Sequence, residues 1–317
     1  MKVLVTGANG LVGRATSVAL DRNGFSVRAA SRLMRPGTLD IEQVTIGDIN
    51  AYTHWQTALA FVHVVVHCAA RVHVMHDAEA DPLSAFRAVN LHGTLNLAHQ
   101  AAASGVRRFV FISSIKVNGE FTEPGRAFTE EDLPNPQDAY GESKQQAEQG
   151  LRKIAAETGL EVVIIRPPLV YGPGVKANFA ALMSAVQRGW PLPLGAIHNK
   201  RSLVALDNLV DFIITCITHP NAANQTFLVS DGQDLSTTEL VRRMAQAAGV
   251  SAHLLPVSMW ALDWAGRLLG KSDAVQRLTR NLQIDSTKAR DLLSWRPKVS
   301  VQEGLRPAMI GNAKETL

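Results

Sequence analysis

Apolar positions along the chain follow two alternating rhythms. Short runs at Val3–Thr6, Phe25–Ala30, Phe61–Ala70, Phe109–Ser113 and Val162–Arg166 have the length and β-branched content of buried strands. Between them, Leu11–Arg22, Ser84–Ser104 and about Tyr140 to Thr158 carry apolar residues at helical spacing. The first stops at Asn23-Gly24 and the second just before Gly105. Strands that alternate with helices in this way need crossover connections. The pattern therefore predicts an α/β fold, a doubly wound parallel sheet with helices on both faces. After Arg166 the rhythm breaks at Pro167, Pro168, Pro173, Pro191 and Pro193. Leu203–Leu206 and Thr226–Ser230 are predicted to return to the sheet. The C-terminal third is helical in bias, with helices expected at Thr237–Ala248 and Met259–Leu269.

Composition narrows the class. Of 317 residues, 46% are hydrophobic and 19% charged, enough for a sizeable core and unlike a disordered chain. Lys and Arg number 32 against 28 Asp and Glu, a net charge of +4, and the cations are scattered. That fits a solvated surface rather than a nucleic-acid face, and it favours collecting a phosphorylated small molecule. Cys68 and Cys216 lie far apart and read as small core residues, which fits a reducing cytoplasm. The start, MKVLVTGANG, is not a signal peptide, and no apolar run approaches the roughly 20 residues of a membrane helix, so stable insertion is not expected. Met259–Leu269 is amphipathic by spacing. It is expected in the core of the C-terminal part, with membrane-surface binding as the alternative. The histidines at 63, 67, 73, 76, 92 and 99 fall on different elements without a metal-ligand spacing, so no metal is expected.

The first turn carries chemistry. Thr6-Gly-Ala-Asn-Gly-Leu-Val-Gly13 follows a strand and opens a helix. Its glycines permit a tight turn, a close backbone approach to a pyrophosphate, and close packing of helix on strand. The helix N-terminus adds N–H donors and a positive dipole end. Gly7, Asn9, Gly10, Leu11, Val12 and Gly13 are thus expected to hold a dinucleotide, in a Rossmann-type fold. Where an acid for a ribose 2′-hydroxyl would stand, the second strand ends in Ser31-Arg32. An uncharged residue beside a guanidinium suits a 2′-phosphate, so NADP(H) is preferred over NAD(H). Residues 1–166 plus about 203–230 then read as the dinucleotide-binding domain. Residues of about 167–202 and 231–317 form a smaller, mostly helical substrate domain over the carboxyl ends of the strands.

Tyr140-Gly-Glu-Ser-Lys144 puts a phenol and an ammonium on one helix face. The ammonium is expected to lower the tyrosine pKa, which makes Tyr140 a usable acid and base. A hydroxyl to hold a reacting carbonyl is offered at the end of Phe109–Ser113 by Ser113 or Ser114.

The loop, the Tyr-x-x-x-Lys pair and their order resemble the extended short-chain dehydrogenase/reductase group, the NAD-dependent epimerase/dehydratase family. By that resemblance Ser114 aligns with the catalytic hydroxyl, and Lys144 also binds the cofactor. Gly47-Asp48-Ile49 looks like the adenine-binding segment, His67-Cys-Ala69-Ala70 like the loop beside the cofactor, and Asn90 like the family's helix asparagine. Arg166-Pro167-Pro-Leu169 matches the strand reaching the nicotinamide, and Asp285–Ala289 with Ser294-Trp-Arg-Pro297 looks like the C-terminal signature. Arg201 matches an arginine that meets a substrate diphosphate. Asn178, Arg277 and Arg280 are further diphosphate candidates, His73 and Ser113 candidates for the sugar pocket, and Leu192 and Leu194 for the border of a uracil. The resemblance also implies a homodimer through Ser84–Ser104 and Tyr140–Thr158.

Family dehydratases carry an Asp-Glu pair after the catalytic hydroxyl, and here Ile115-Lys116 follows Ser114. Ala70–Met75 and Lys116–Gly119 look most like reductases of UDP-linked 4-keto-6-deoxy-N-acetylhexosamines from surface-polysaccharide gene sets, whose members often carry the label UDP-glucose 4-epimerase. The expected function is 4-keto reduction of such a UDP-sugar. The alternative is a UDP-hexose or UDP-N-acetylhexosamine 4-epimerase. A non-catalytic dinucleotide sensor is the remote case, disfavoured by the presence of both Tyr140 and Lys144.

Overall fold

The computed structural model describes residues 1–33, 41–72 and 81–315, with side chains up to residue 310. The chain runs β1 (Lys2–Thr6), α1 (Leu11–Arg22), β2 (Ser26–Ser31), β3 (Glu42–Thr45), α2 (Gln56–Leu59), β4 (Val64–His67), α3 (Pro82–Phe86), a π-helical segment (Arg87–Gly93) and α4 (Thr94–Ala103). Then come β5 (Arg108–Ile112), α5 (Ala139–Thr158), β6 (Glu161–Arg166), β7 (Leu169–Tyr171), α6 (Ala177–Gln187), β8 (Leu203–Ala205), α7 (Leu206–Thr218) and β9 (Thr226–Leu228). Helices α8 (Thr237–Ala248), α9 (Met259–Leu268), α10 (Ser272–Thr279), α11 (Thr287–Leu293) and α12 (Val301–Glu315) complete it.

Among the described residues, seven parallel strands form one sheet in the order β3-β2-β1-β4-β5-β6-β9. Val64–His67, Arg108–Ile112 and all but the first residue of β6 are buried, because helices cover both faces. One apolar cluster joins Val3, Val5, Val64, Val110 and Val163 to Phe212 and Ile213 of α7. On the other face Leu4, Val65, Phe109 and Ile164 pack with Leu97 of α4 and Leu151 of α5. The order reverses between β1 and β4, so a crevice opens at their carboxyl ends, where open sheets of this kind bind ligands. A third cluster, with Tyr171, Phe179, Met183, Leu203, Val241, Met244 and Leu305, forms the core of the C-terminal part.

Two sequence expectations change. Thr226–Leu228 does join the sheet at its edge, but Leu203–Ala205 pairs instead with Leu169–Tyr171 as a separate two-stranded sheet. Periodicity identifies a strand but not its neighbour. The helix expected over Ser84–Ser104 is interrupted by the π-helical turn, whose wider winding lets Gly93 lie against Ile49. A Cβ on Gly93 would come 2.5 Å from Ile49 Cγ2.

Candidate active site

The glycine turn is tightly closed. Gly7 has φ +66, in the region that favours glycine, and a Cβ there would sit 2.8 Å from the backbone nitrogen of Ala69. A Cβ on Gly13 would come 2.3 Å from the carbonyl oxygen of Gly7. The Gly10 N–H donates to that same oxygen at 2.8 Å, and α1 starts at Leu11. This cradle excludes side chains and keeps the first turn of the helix at the sheet crevice, as a pyrophosphate site requires. Leu11 and Val12 are half-buried and Asn9 is exposed, its amide donating to the Leu33 carbonyl at 3.2 Å. Across the cradle, Ala69 and Ala70 are half-buried, and the Ala69 N–H donates to Thr6 Oγ1. His67 is hydrogen-bonded to Thr6 at 2.7 Å and to Thr94 at 2.9 Å. Burial pushes its pKa down to about 3, so a neutral imidazole ties β1, β4 and α4 together.

At the end of β2 the Ser31 hydroxyl donates to the Leu33 carbonyl, and Arg32 stands exposed 3.6 Å from an equally open Asp48. Ile49 is a correction. Its side chain is buried in the core beneath Gly93, so only its backbone faces outward. Asn90 is another. It accepts from the Arg71 N–H and donates to the Arg71 carbonyl and to Ser143, so its amide is spent on fastening the loop after β4 to α5. Pro167 is buried, and its carbonyl accepts from Ile115, whereas Leu169 leaves its side chain open.

The catalytic candidates converge where β5 ends and α5 begins. Asp138 caps α5, accepting from the Gly141 N–H at 2.7 Å, so Tyr140 lies in the first turn and Lys144 one turn later. The Ser114 hydroxyl lies beside the Tyr140 phenol and, against the larger upward push of burial, lowers its pKa. Lys144 is buried, donates to the Ile112 carbonyl at 2.8 Å, and lies 4.4 Å from the Phe111 ring centroid. Burial, seconded by the Asp138 carboxylate, pushes the Tyr140 pKa up to about 12. The expected lowering by Lys144 is therefore not seen in this state. The ammonium faces a backbone carbonyl instead, and burial holds its own pKa down to about 8.

Ser113 and Ser114 separate cleanly, because successive residues of an extended strand point to opposite sides. Ser113 is buried and donates to Glu148 at 2.6 Å. Its hydroxyl is thus taken up by Glu148 rather than turned to the pocket, and Ser114 is the hydroxyl on the Tyr140 side. Glu148 also accepts from Arg166 Nε at 2.9 Å and Nη2 at 2.5 Å, while Arg166 Nη1 donates to Asn118. Sequence reading passed over this buried pair behind the site. Glu148, one turn after Lys144 on the inward face of α5, was the signal.

The C-terminal part supplies cations. Arg201 pairs through its backbone with both Leu235 and Leu282 and donates to the Arg280 carbonyl at 3.2 Å. Burial lowers its pKa to about 10, the Glu120 charge opposes this, and Arg277 adds to it. Arg201, Arg277 and Arg280 are thus gathered as expected, with the Arg280 guanidinium 4.8 Å from the Phe121 ring. Asn178 is exposed in the first turn of α6. Leu194 is buried in the C-terminal cluster, and Leu192 packs against it, so Leu194 does not border a uracil. His73 lies outside the described residues. Among the described residues, no helix is long and apolar enough to cross a membrane.

Residues 3–230 match the NAD dependent epimerase/dehydratase family. The chain is 52% identical over 308 residues to a UDP-glucose 4-epimerase of Vibrio cholerae, covering 96% of this chain and 93% of that one. Its fold is similar to that of the UDP-glucuronic acid 4-epimerase of Bacillus cereus in complex with NAD, with a TM-score of 0.80, 21% identity and both chains covered fully. It is also similar to the UDP-glucose 4-epimerase of Thermotoga maritima with UDP-glucose, with a TM-score of 0.79, 24% identity and full coverage of both. With the cradle of Gly7 and Gly13, the Ser114–Tyr140 pair and a family match over most of its length, the chain belongs to the NAD dependent epimerase/dehydratase family.

Proposed function

We propose that the protein is a cytoplasmic nucleotide-sugar 4-epimerase that interconverts a UDP-hexose or UDP-N-acetylhexosamine and its carbon-4 epimer. The single observation that carries this reading is the 52% identity to a UDP-glucose 4-epimerase over nearly the whole chain, together with an intact Ser114, Tyr140 and Lys144. The dinucleotide fits the cradle, where Gly7 and Gly13 leave no room for a Cβ, with Gly10 and the α1 N-terminus on its pyrophosphate and Lys144 toward its nicotinamide ribose. Bound there, the dinucleotide would supply the hydride acceptor and donor for carbon 4 of the sugar.

The residues of this chain manage the proton and the oxygen. Tyr140 removes the proton from the 4-hydroxyl and later gives it back. Ser114, beside the phenol, donates to the oxygen at carbon 4 as it becomes a carbonyl. A phenol held near 12 is a proton donor at neutral pH, and acting as a base needs added positive charge. Lys144 is the buried ammonium placed to supply it, 6.0 Å from the phenol ring. Arg201, with Arg277 and Arg280, holds the substrate diphosphate by charge.

A second reading rests on Ser31-Arg32, which leaves no acid at the end of β2 and an exposed guanidinium beside the cradle. That end suits NADP(H), and exchange of NADPH each turnover suits net reduction of a UDP-2-acetamido-2,6-dideoxy-4-hexulose in surface-polysaccharide synthesis. Incubation with UDP-GlcNAc, UDP-glucose and the UDP-4-keto sugar plus NADPH separates the two. Interconversion of the first two with their carbon-4 epimers, without net nicotinamide consumption, supports the epimerase. Stoichiometric loss of NADPH absorbance with the keto sugar alone supports the reductase and overturns the epimerase.

A further inference from the structure

The hairpin of α9 and α10 is thinly packed. Helix α9 buries only Gly266, and α10 buries none of its residues. Gly266 sits against Val275, since a Cβ on it would come 2.8 Å from Val275 Cγ2, and this contact holds the two helices together. The expectation that Met259–Leu269 lies in the core holds only for the Leu262 side, which packs against the C-terminal cluster, while the opposite side is open. Trp260, Trp264 and Leu268 recur at four-residue spacing, form one stripe, and are 74%, 63% and 65% exposed, with Leu269 also open at 71%. Leu255, in the segment feeding α9, extends the apolar surface. Its neighbour Leu254 pairs with Leu192, which brings in exposed Trp190, covered on one face by the Arg188 guanidinium at 5.5 Å.

The charges beside this stripe are mostly positive. Arg267 follows Trp260 by seven residues and Trp264 by three, so it shares their side of the helix, and exposed Lys271 follows the helix end. Asp263 on the flank of the stripe and Asp273 in the first turn of α10 are the carboxylates of the hairpin, against the cations Arg267, Lys271, Arg277 and Arg280. Exposed indoles bordered by cations are the arrangement of a helix lying in a membrane interface, with rings at headgroup depth and cations on lipid phosphates. The apolar stripe and the cations together therefore fit an anionic lipid surface.

We infer that α9 docks the protein peripherally on anionic phospholipid, with Trp260, Trp264 and Leu268 entering the interface and Arg267 and Lys271 meeting headgroup phosphates. Docking there sets the candidate diphosphate cations close to the lipid, because α10 carries Arg277 and leads into Arg280, whose carbonyl accepts from Arg201. The inference stands apart from the sugar chemistry.

The test is co-sedimentation of the full chain with vesicles of phosphatidylcholine alone and of phosphatidylcholine mixed with phosphatidylglycerol, with tryptophan emission as a second readout. The expected result is salt-sensitive binding to the mixed vesicles with a blue shift. W260S/W264S is expected to lose both, and R267Q/K271Q to weaken binding by roughly 25-fold, about fivefold per cation. Both variants should keep wild-type turnover of soluble substrate and wild-type circular dichroism, which separates lost docking from lost folding. Wild-type protein that stays in solution with the mixed vesicles overturns the inference. So does W260S/W264S protein that binds as well as wild type. A W260S/W264S change confined to the mass measured by sedimentation velocity also overturns it, because the face then joins two copies.

Discussion

The Lys144 ammonium lies 2.8 Å from the Ile112 carbonyl oxygen, and the ring of Tyr140 is 6.0 Å from it. The lysine is thus anchored to the end of β5 with its ammonium beside the ring of Tyr140. Its burial is unfavourable while it is charged, and its pKa falls from 10.5 to about 8. Between those values the unfolded chain binds more protons than the folded one at this position, so stability contributed here rises with pH. Urea midpoints of wild type and Lys144→Met at pH 7.5 and pH 10 check this. The wild type is expected to gain on the variant at the higher pH, and a constant difference contradicts the burial argument.

Tyr140 and Ser114 are expected to act on the chemical step and not on the fold. Tyr140→Phe removes the proton carrier and should lower kcat by roughly 10²–10⁴-fold. Ser114→Ala removes the donor to the oxygen at carbon 4 and should lower it by roughly 10²–10³-fold. Dinucleotide affinity, followed by calorimetry, should change little in either variant, since Gly7, Gly10 and Gly13 are untouched.

Lys116 stands where family dehydratases carry an acid, and it pairs with both Glu120 and Asp138. Asp138 is a charge that raises the Tyr140 pKa. Lys116→Met leaves that carboxylate unbalanced, so Tyr140 should hold its proton to still higher pH. The limb of the pH–rate profile that reports tyrosine ionisation should move upward, and Lys116→Arg should return it. Asp138→Asn is expected to move the same limb downward.

Behind the site, Glu148 and Arg166 form a buried pair with two hydrogen bonds, joined by Ser113 and Asn118. Breaking one side leaves a buried charge without its partner. Glu148→Gln or Arg166→Met should each destabilise the protein by about 3–5 kcal/mol, read from chemical denaturation. Glu148→Leu with Arg166→Met should lose less than the two single changes added together.

The glycine turn and the Tyr140–Lys144 pair are legible in the sequence because each depends on local spacing, a strand–turn–helix in one case and a helix turn in the other. What spacing cannot carry is which partner a residue meets from a distant part of the chain. Glu148 and Arg166 are 18 residues apart, and both read as ordinary charges until α5 and β6 pack. Leu203–Ala205 has strand character, but nothing local says that it pairs with Leu169–Tyr171 instead of the large sheet. Asn90 reads from the sequence as a cofactor residue, but its amide meets Arg71 and Ser143. The tryptophans of α9 have core composition, and only the packed structure leaves them facing outward.

The central claim is that hydride leaves carbon 4 and returns to the same carbon within one turnover. Its most direct test uses a UDP-sugar carrying deuterium at carbon 4, with the product analysed by mass spectrometry and proton NMR. The account predicts the carbon-4 epimer with deuterium retained at that carbon. Absence of the epimer, or an epimer that has lost its deuterium to the nicotinamide pool, contradicts it.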